Sequence, residues 1–372
     1  MEWHEEMRNC ARTFDDLVER GVACEEDRSW MEDVLKRAPM AVPPYYLSLI
    51  DPSDPDDPIR RLAIPSRLET DRSGKLDTSG EASNTVLPGL QHKYRETVMM
   101  LSTNACAMYC RHCFRKRMVG LDNVPDMSGC VQDIEEVRAY LMAHPEVKNV
   151  LMSGGDALLN SNARVRAILE ALVSVDSLDF IRIATRVPVS LPQRITTDPE
   201  LVDILAEYAQ RKQLYMVTQF DHPREITPEA VEAVKMVLSL GIPVRNQTVL
   251  LRGVNADAQT LAALLEGLTR IGVEPYYVFQ CRPVTGVKAQ FQVPLREGAR
   301  IVEGAKALQN GFGKAFKYCM SHVAGKIEIL GELPDGKMAF KFHEAKDRAN
   351  LGRIFVKDVA PDQAWFDDDE EF

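Results

Sequence analysis

Six short apolar runs, separated by longer amphipathic stretches, constrain the fold of this 372-residue chain more than any other feature. The runs predict β-strands at residues 98–102, 147–152, 180–184, 214–220, 244–250 and 276–280. The stretches between them include helical patterns at residues 165–175, 198–211, 228–240 and 258–271. Alternating strands and helices of this length form right-handed βαβ units around a parallel sheet. Because six units are fewer than the usual eight, the sequence predicts an open, partial α/β barrel of the (β/α)6 type, with its site at the C-terminal ends of the strands.

The chain on either side of this region has a different character. Residues 1–90 begin with two short helical patterns and continue into a segment at 46–66 whose many aspartates and prolines disfavour regular structure. Apolar residues recur through that segment, so it is predicted to pack as an ordered arm. Residues 291–372 predict strands, turns and a short helix, closed by an acidic tail at 367–371 that is predicted to be a solvated end. The predicted domains are therefore 1–90, 91–290 and 291–372.

Three cysteines, Cys106, Cys110 and Cys113, follow the first predicted strand in Cys-x3-Cys-x2-Cys spacing. Three thiolates this close on one loop can hold three corners of an iron–sulfur cube. No fourth cysteine lies in that loop, so the fourth iron would be open to a ligand from outside the protein. An open iron suits a cluster that binds and activates a substrate. A zinc knuckle is the alternative, but zinc sites usually add a second Cys or His pair downstream, and the other five cysteines are scattered singly.

Composition sets broader bounds on compartment and partners. The net charge of −10 argues against a nucleic-acid partner. Eight cysteines in 372 residues are too few for a disulfide scaffold, and the sequence shows no signal peptide or long apolar span. These features predict a cytoplasmic protein without a membrane partner.

The cysteine loop and its neighbours resemble the radical S-adenosylmethionine (SAM) enzymes, in which SAM chelates the open iron of a [4Fe–4S] cluster. The fragments PGLQHKY, CAMYCRHCFRKR, LMSGGDALL, RIATRVPVSLPQRIT, FDHPREIT and NQTVLLRGVN, in this order, resemble the lysine 2,3-aminomutase family over residues 44–330. The resemblance implies a partial radical SAM barrel and an isomerase that uses SAM and pyridoxal phosphate (PLP) to move an amino group between adjacent carbons. It also implies a small amino acid as substrate, a low-potential electron donor and a homo-oligomer.

The family's motifs imply cofactor roles for individual residues. The cluster ligands would be Cys106, Cys110 and Cys113. Contacts with SAM are implied for His112, Ser153, Gly154, Gly155, Asp156 and Gln247, and more loosely for Arg186. For Asp156 the sequence leaves two roles open, since its carboxylate could accept from the SAM ammonium or cap the next helix.

Lys326, in the fragment SHVAGKIEIL, matches the family's Schiff-base lysine, and Lys93 and Tyr94 match positions around PLP. Two departures weaken this match. Thr97 stands where family members usually carry an arginine of the phosphate cradle, although Arg95 is an extra cation nearby. The family's run of glycines before the lysine is also shortened.

Substrate choice is where the chain departs most from the lysine-specific members of the family. Arg115 matches the arginine that pairs with the substrate carboxylate, a task that suits a guanidinium. Arg282 and Cys319 stand where two aspartates would hold the distal ammonium of lysine. A cation in that pocket suits a distal carboxylate instead, as in the glutamate-acting branch. The alternative is that Arg282 points elsewhere and pairs with Asp221 or Glu274.

These features predict a radical SAM, PLP-dependent amino acid 2,3-aminomutase whose substrate is acidic and resembles glutamate. Two other enzyme functions stay open at this point: a lysine 2,3-aminomutase proper, and a PLP-independent radical SAM enzyme, which the departures at the PLP positions favour. A non-catalytic iron–sulfur or zinc protein is the alternative from another class, and it would leave the predicted SAM positions Gly154, Gly155 and Gln247 without a purpose.

Overall fold

The computed structural model describes residues 2–120 and 129–372. Within them one twelve-stranded sheet places strands in space in the order in which they occur along the chain. The strands are β1 (Thr85–Leu87), β2 (Leu90–Tyr94), β3 (Thr97–Thr103), β4 (Asn149–Gly154), β5 (Phe180–Ala184), β6 (Gln213–Thr218), β7 (Val244–Leu250), β8 (Glu274–Gln280), β9 (Lys317–His322), β10 (Gly325–Glu332), β11 (Met338–Ala345) and β12 (Ile354–Lys357).

The α-helices precede the sheet at the N-terminus and then connect its parallel strands. They are α1 (Trp3–Arg8), α2 (Phe14–Glu19), α3 (Arg28–Leu35), α4 (Pro44–Leu47), α5 (Pro58–Ala63), α6 (Glu81–Asn84), α7 (Ile134–Ala143), α8 (Asn162–Val173), α9 (Val187–Ser190), α10 (Gln193–Thr196), α11 (Pro199–Arg211), α12 (Pro228–Ser239), α13 (Ala258–Arg270), α14 (Lys288–Phe291) and α15 (Leu295–Ala307).

Of the strands in the described residues, the seven from β3 to β9 pair in parallel. Antiparallel pairs extend the sheet at both ends, through β1 and β2 on one side and β10 to β12 on the other. The predicted partial α/β barrel is confirmed, with one parallel strand more than expected. The additional strand arises because α15 provides a further helical crossover, from β8 to β9. The sheet runs through all three predicted domains, whose boundaries stay a prediction.

Side-chain alternation along β5 shows how the barrel acquires a polar interior. Ile181 and Ile183 are fully buried, whereas Phe180, Arg182 and Ala184 line an internal cavity. Successive side chains of a strand point to opposite faces, so the two isoleucines face the outer helices and the other three residues face the barrel axis.

The helix α12 shows why the ends of the connecting helices could be predicted from local sequence signals. The Thr227 side chain accepts a hydrogen bond from the backbone N–H of Ala230, and Pro228 occupies the first turn, where its missing N–H is not needed. Past the end of the helix, Gly241 takes a left-handed conformation with φ of 77°.

The N-terminal arm packs into the same core as the barrel. Tyr46, Ile59 and Leu62 are fully buried and belong to one hydrophobic cluster with Val98 and Met152 of the sheet. Burying side chains of this size stabilises the arm against the barrel by about 1.5–3 kcal/mol each.

The carboxylates of the acidic tail are mostly exposed to solvent, as its composition predicted, and two of them also form ion pairs with lysines. Asp368 pairs with Lys75 at 2.7 Å, and Glu370 pairs with Lys357 at 2.6 Å. The terminal Phe372 packs edge-on against Phe342, with ring centroids 5.3 Å apart. Phe366 precedes the charges and Phe372 follows them, and both rings pack against aromatic residues of the antiparallel strands. No helix of the described residues has the length and apolar composition needed to cross a membrane.

Candidate active site

A cavity of about 590 Å³ runs inside the parallel strands, from the cysteine loop towards the strand starts. Its wall contains every residue to which the sequence analysis assigned a role at the cluster, SAM, PLP or substrate. These are Cys106, Cys110, Cys113, His112, Ser153, Gly154, Gly155, Asp156, Gln247, Lys93, Tyr94, Lys326, Arg115 and Arg282, together with Arg186. The roles themselves stay predictions, but residues spread over more than 230 positions of sequence line one cavity.

The three cysteines lie on the loop that follows β3 and face the cavity as free thiols. Burial raises the pKa of all three thiols, that of Cys110 to about 11. Metal ligation removes such protons, so a donor set of three thiols suits a cluster bound at three corners. Among the described residues, no three His, Cys, Asp or Glu side chains are close enough to share a single metal ion.

The N-terminal arm holds the cysteine loop in place. The Arg111 guanidinium donates to the Glu69 carboxylate from Nε at 2.9 Å and from Nη2 at 2.5 Å, and from Nη1 to the Pro39 carbonyl at 3.0 Å. Lys116 donates to the same carboxylate. Glu69 therefore ties together the residues on both sides of Cys113, and its ion pair with Arg111 is almost completely buried.

Gly154 and Gly155 allow β4 to approach the cysteine loop closely. A Cβ atom on Gly154 would overlap the carbonyl oxygen of Thr103, and one on Gly155 would overlap that of Ala105. The backbone N–H of Gly155 donates to Thr103 at 2.6 Å, and that of Asp156 donates to Ala105 at 2.8 Å. The cysteine loop can therefore pack against β4 only because Gly154 and Gly155 lack side chains. The backbone N–H groups of Gly155 and Asp156 already donate to this loop.

Asp156 caps the short helical turn that follows β4, which is one of the two roles that the sequence left open, and a contact with SAM stays a prediction. Its Oδ1 accepts from the backbone N–H of Leu158 at 3.1 Å and from the Thr185 hydroxyl at 2.6 Å. Its Oδ2 accepts from the backbone N–H of Arg186 at 2.7 Å. Burial raises the pKa of this carboxyl group. Asp156 therefore joins the ends of β4 and β5 beneath the cysteine loop.

Arg186 connects the cysteine loop with buried carboxylates at the end of β6. Its Nη1 donates to the Cys110 Sγ at 2.9 Å, and its Nη2 donates to Glu225 at 2.5 Å. The hydroxyl of Tyr46, from the N-terminal arm, donates to the same Glu225 carboxylate at 2.6 Å. Cys110 is one of the predicted cluster ligands, and a cation that donates to such a sulfur would make it less electron-rich, which is one way in which proteins tune a cluster.

His112 is buried and neutral. Burial, followed by the nearby charges of Arg186 and Lys116, lowers its pKa well below the usual range. Its Nε2 lies 2.7 Å from the Gln219 amide nitrogen, which can only donate, so Nε2 accepts and the ring proton is on Nδ1. That Nδ1–H is buried and has no partner among the described residues, so it is a donor available to a bound molecule.

Arg115 is held by a carboxylate that the sequence analysis did not identify. Its Nε donates to Glu81 at 2.8 Å, and its Nη1 donates to the Ser153 hydroxyl at 3.1 Å. Glu81 begins α6, in the irregular segment before the sheet, and also pairs with Arg117 at 2.7 Å. The positive charge of Arg115 is therefore compensated within the protein.

Arg282 has a different environment, because its charge has no such partner. Its guanidinium lies over the Phe114 ring, 4.3 Å from the centroid, and its Nη1 is buried with no hydrogen-bond partner among the described residues. Burial is the main cause that lowers the pKa of Arg282, to about 10, which leaves the group protonated at neutral pH. An unpaired cation in this setting costs free energy until an anion binds.

The two alternative partners of Arg282 are bonded elsewhere. Asp221 accepts from the Gln219 amide at 2.8 Å and pairs with Arg186 at 3.4 Å. Glu274 pairs with Arg245 at 2.8 Å. Neither carboxylate contacts Arg282 in an ion pair, so the interpretation in which Arg282 serves only to neutralise one of them is wrong.

Lys326 lies near the start of β10 with its Nζ in the cavity wall. The ammonium pairs with Glu344 at 2.8 Å and lies over the Tyr277 ring, 4.4 Å from its centroid. Lys93 donates to the His322 carbonyl at 2.5 Å. Burial, and then the neighbouring cations, lower the pKa of Lys93 to about 7.

Charged residues of the cavity wall that sequence reasoning missed include Glu81, Arg182 and Glu344. Arg182 could have been found, because it occupies the inward position of a predicted strand between two outward isoleucines. Glu344 pairs with Lys326 across the β10–β11 register, which is visible only once the hairpin is known. Glu81 lies in a segment without a periodic pattern and gives no comparable signal.

Comparison with known proteins gives the same assignment as these features. The Radical SAM superfamily model matches residues 100–265. A protein described as a putative L-lysine 2,3-aminomutase, from Aquifex aeolicus, is 41% identical over 346 residues, which cover 92% of this chain and 91% of the relative. The chain belongs to the lysine 2,3-aminomutase family. The L-lysine 2,3-aminomutase of Clostridium subterminale is 38% identical over 313 residues, 84% of this chain and 73% of the relative. The glutamate 2,3-aminomutase of Clostridioides difficile is 36% identical over 287 residues, 77% of this chain and 65% of the relative.

Membership makes this aminomutase-family protein a radical SAM enzyme of the isomerase class, with a [4Fe–4S] cluster and SAM as its cofactors. The predicted resemblance is confirmed. The three cavity thiols fit the cluster, and the partnerless donor of His112 lies in the wall beside them.

Proposed function

We propose that this protein is a PLP-dependent 2,3-aminomutase that moves the amino group of an acidic, glutamate-like amino acid from the α- to the β-carbon. The proposed substrate class rests on Arg282, whose Nη1 is buried without a hydrogen-bond partner among the described residues and which lies in the cavity wall. A distal carboxylate supplies the missing acceptor, and a bidentate pair with a guanidinium is one of the strongest charge-assisted contacts in proteins.

Arg115 is the proposed partner of the α-carboxylate. The guanidinium groups of Arg115 and Arg282 lie over the same Phe114 ring, with Cζ at 4.6 and 4.3 Å from its centroid. Two cations on one ring are close enough to hold the two carboxylates of one short dicarboxylic amino acid. Glu81 keeps the Arg115 side chain extended in the cavity wall, which limits its freedom before the substrate binds.

PLP is the proposed second cofactor, attached to Lys326. The lysine lies in the wall of the same cavity as the cysteines, with its ammonium held by Glu344. When bound, PLP would carry the migrating nitrogen, and SAM at the open iron of the cluster would supply the radical that abstracts a substrate hydrogen. Glu344 and Tyr277 fix the direction in which the Lys326 side chain enters the cavity.

A lysine-acting enzyme is the second candidate, because the relatives with the higher identities bear that name. It would need a carboxylate for the distal ammonium. Of the described cavity carboxylates, Glu81 and Glu344 are each paired with a cation of the protein, and Asp156 accepts three hydrogen bonds from within the protein. Arg282 would repel the ammonium. The charges of the cavity therefore support the acidic substrate.

The test is formation of β-amino acids under anaerobic conditions, with SAM, PLP and a strong reductant. Glutamate, aspartate, lysine and arginine are supplied separately, and the products are separated by liquid chromatography and identified by mass. Formation of β-glutamate, with lysine inert, supports the proposal. Turnover of lysine with glutamate inert would reject the acidic substrate and leave the lysine-acting function.

A further inference from the structure

Gln91 is a buried glutamine on β2, and its side chain lines the cavity of the candidate active site. Only 5% of the residue is exposed. Its amide nitrogen, Nε2, is buried and has no hydrogen-bond partner among the described residues. A buried N–H group without an acceptor destabilises the folded protein, and most such groups in native structures are satisfied. The Gln91 amide is therefore placed for an acceptor that enters the cavity.

The strand register places Gln91 beside the residue that contacts Arg115. Gln91 pairs directly with Met99 across the antiparallel strands β2 and β3. Residues opposite each other in such a pair project their side chains from the same face, with Cβ atoms about 4.5–5.5 Å apart. Both side chains line the cavity, and the Met99 sulfur accepts from the Nη2 of Arg115. The free amide of Gln91 is therefore a near neighbour of the Arg115 guanidinium.

Arg115 has few donors left for a ligand. A guanidinium carries five N–H groups. The Nε of Arg115 donates to Glu81 at 2.8 Å, and its Nη1 donates to the Ser153 hydroxyl at 3.1 Å and to the Gly154 carbonyl at 3.4 Å. One N–H of its Nη2 is taken by Met99. A carboxylate beside Arg115 therefore receives only the second N–H of Nη2, and its other oxygen needs a donor from elsewhere.

Asn84 is the polar neighbour whose side chain would be the nearest internal acceptor for the Gln91 amide. It directly precedes Thr85, which pairs with Gln91 across β1 and β2. The Nδ2 of Asn84 donates to the Gly80 carbonyl at 2.7 Å, but its Oδ1 is buried and accepts from no group in the described part of the chain. The two side chains are thus not bonded to each other, and the Gln91 donor stays available to a ligand.

We propose that Gln91 binds the α-carboxylate of the substrate together with Arg115. The inference rests on the proposed pairing of Arg115 with that carboxylate, and it adds the amide of Gln91 as the second donor. A neutral donor completes the contact without bringing a third positive charge next to Arg115 and Arg282. The inference also narrows the substrate class to a free amino acid, because the neutral carbonyl of a residue within a peptide does not supply the two charged oxygens that both donors need.

The experiment measures binding to the cluster-containing protein, supplied with PLP, by isothermal titration calorimetry. SAM is left out, so that no probe is turned over. The probes are glutamate, its α-amide and its γ-amide, glutamine, and the unmodified protein should prefer glutamate to both amides. Gln91→Met, whose side chain has a similar length and no N–H, should weaken glutamate binding by about ten- to a hundredfold, the range for one hydrogen bond to a charged group. Gln91→Glu places a carboxylate against the α-carboxylate, so it should also remove the preference for glutamate over the α-amide.

The two amides show which end of the substrate Gln91 contacts. Both Gln91 variants should keep the preference for glutamate over glutamine, because the γ-carboxylate is the proposed partner of Arg282. Gln213→Glu is the matched control, since it adds the same charge at an exposed position of β6 outside the cavity wall, and it should keep both preferences. The inference is wrong if the Gln91 variants keep the full preference for glutamate over its α-amide, or if they lose both preferences together. Should the unmodified protein bind lysine but not glutamate, the acidic substrate is rejected, and lysine with its α-amide then tests Gln91 in the same way.

Discussion

Arg115 and Arg282 place their guanidinium groups over the same ring, that of Phe114, yet only Arg115 has a carboxylate partner. Glu81 compensates Arg115, whereas the Nη1 of Arg282 is buried without any partner among the described residues. Like charges in a partly desolvated space repel, so the pair is stable only because one charge is neutralised. The arrangement leaves a net positive charge beside the cluster loop that an acidic substrate would neutralise.

The close contact between Gly155 and the cysteine loop makes a testable prediction. Gly155→Ala places a Cβ on the carbonyl oxygen of Ala105, and backbone atoms on both sides leave little room to move. We expect about 1–3 kcal/mol of destabilisation, typical of overpacking, together with loss of iron as the cysteine loop shifts. Iron content per chain and denaturant unfolding measure the two effects. Gly311→Ala, which meets no atom within 4 Å, is the control, and equal iron content in both variants would contradict the prediction.

The cluster prediction concerns the cysteines themselves. Cys110→Ala should remove one of three iron ligands and abolish both the electron paramagnetic resonance signal of the reduced cluster and the reductive cleavage of SAM. Cys24→Ala, at an exposed cysteine far from the loop in sequence, should retain both. A Cys110→Ala protein that still cleaves SAM at the unmodified rate would show that this thiol does not bind the cluster.

The PLP prediction concerns one lysine among several near β10. After borohydride reduction, a pyridoxyl label should be found on the peptide that contains Lys326 and should disappear in Lys326→Ala. Lys317→Ala is the matched control, because Lys317 also pairs with a glutamate of the same hairpin, Glu328, at 3.0 Å. A label that persists in Lys326→Ala and disappears in Lys317→Ala would move the attachment site to β9.

The barrel was predictable because its signals are local. The strands β5 and β7 have the bounds that the sequence predicted, and buried positions alternate with less buried ones along both of them. This two-residue period is a local property of the sequence. The strand β9 was missed as a parallel member because its sequence, KYCMSH, is mixed in polarity and gives no clear apolar run. The exposure of the acidic tail follows from its composition, but the packing of Phe366 and Phe372 on either side of it depends on aromatic residues far away in sequence.

For the candidate site, too, local sequence signals could be recognised, whereas contacts between residues distant in sequence could not. Cysteine spacing and the fragment around Lys326 are local patterns, so they identified residues that the fold brings into one cavity. Charge compensation is not local. Glu81 is 34 positions before Arg115 in an irregular segment, and whether Arg282 has a partner depends on every element that surrounds it. Sequence could therefore propose the charge at position 282 but not whether the protein neutralises it.

The lowered pKa of Lys93 predicts that the difference in stability between the unmodified protein and the Lys93→Met variant depends on pH. In the folded protein, burial and then Arg282, Lys346 and Lys326 lower the pKa to about 7, whereas the unfolded chain keeps the proton up to about pH 10.4. Between these values the unfolded state binds more protons, so this group makes the free energy of unfolding rise with pH, by at most about 1.4 kcal/mol per unit. Lys93→Met lacks the effect.

The measurement is urea unfolding of the cofactor-free protein at pH 7, 8 and 9. We expect the stability of the unmodified protein to increase relative to Lys93→Met across this range, because the penalty of the buried ammonium is present in full only below pH 7. Lys235→Met, at an exposed lysine of α12, should show a constant difference. A constant difference for Lys93→Met as well would contradict the lowered pKa.

The last prediction tests the charge of Arg282 in substrate choice. Arg282→Ala leaves the distal carboxylate of glutamate without a partner, and we expect a loss of about 2–5 kcal/mol in binding, typical of removing one member of a desolvated charge pair. Arg282→Asp combined with Cys319→Asp should favour lysine, because two carboxylates would then replace the cation. Arg252→Gln is the matched control, since its guanidinium is half exposed, outside the cavity wall, and contacts Glu297 at 3.8 Å and the Gln292 carbonyl at 3.1 Å. The ratio of kcat/KM for glutamate to that for lysine reports the outcome. If Arg282→Ala changes this ratio no more than Arg252→Gln does, the guanidinium does not read the substrate, and the partnerless Nη1 must serve another anion.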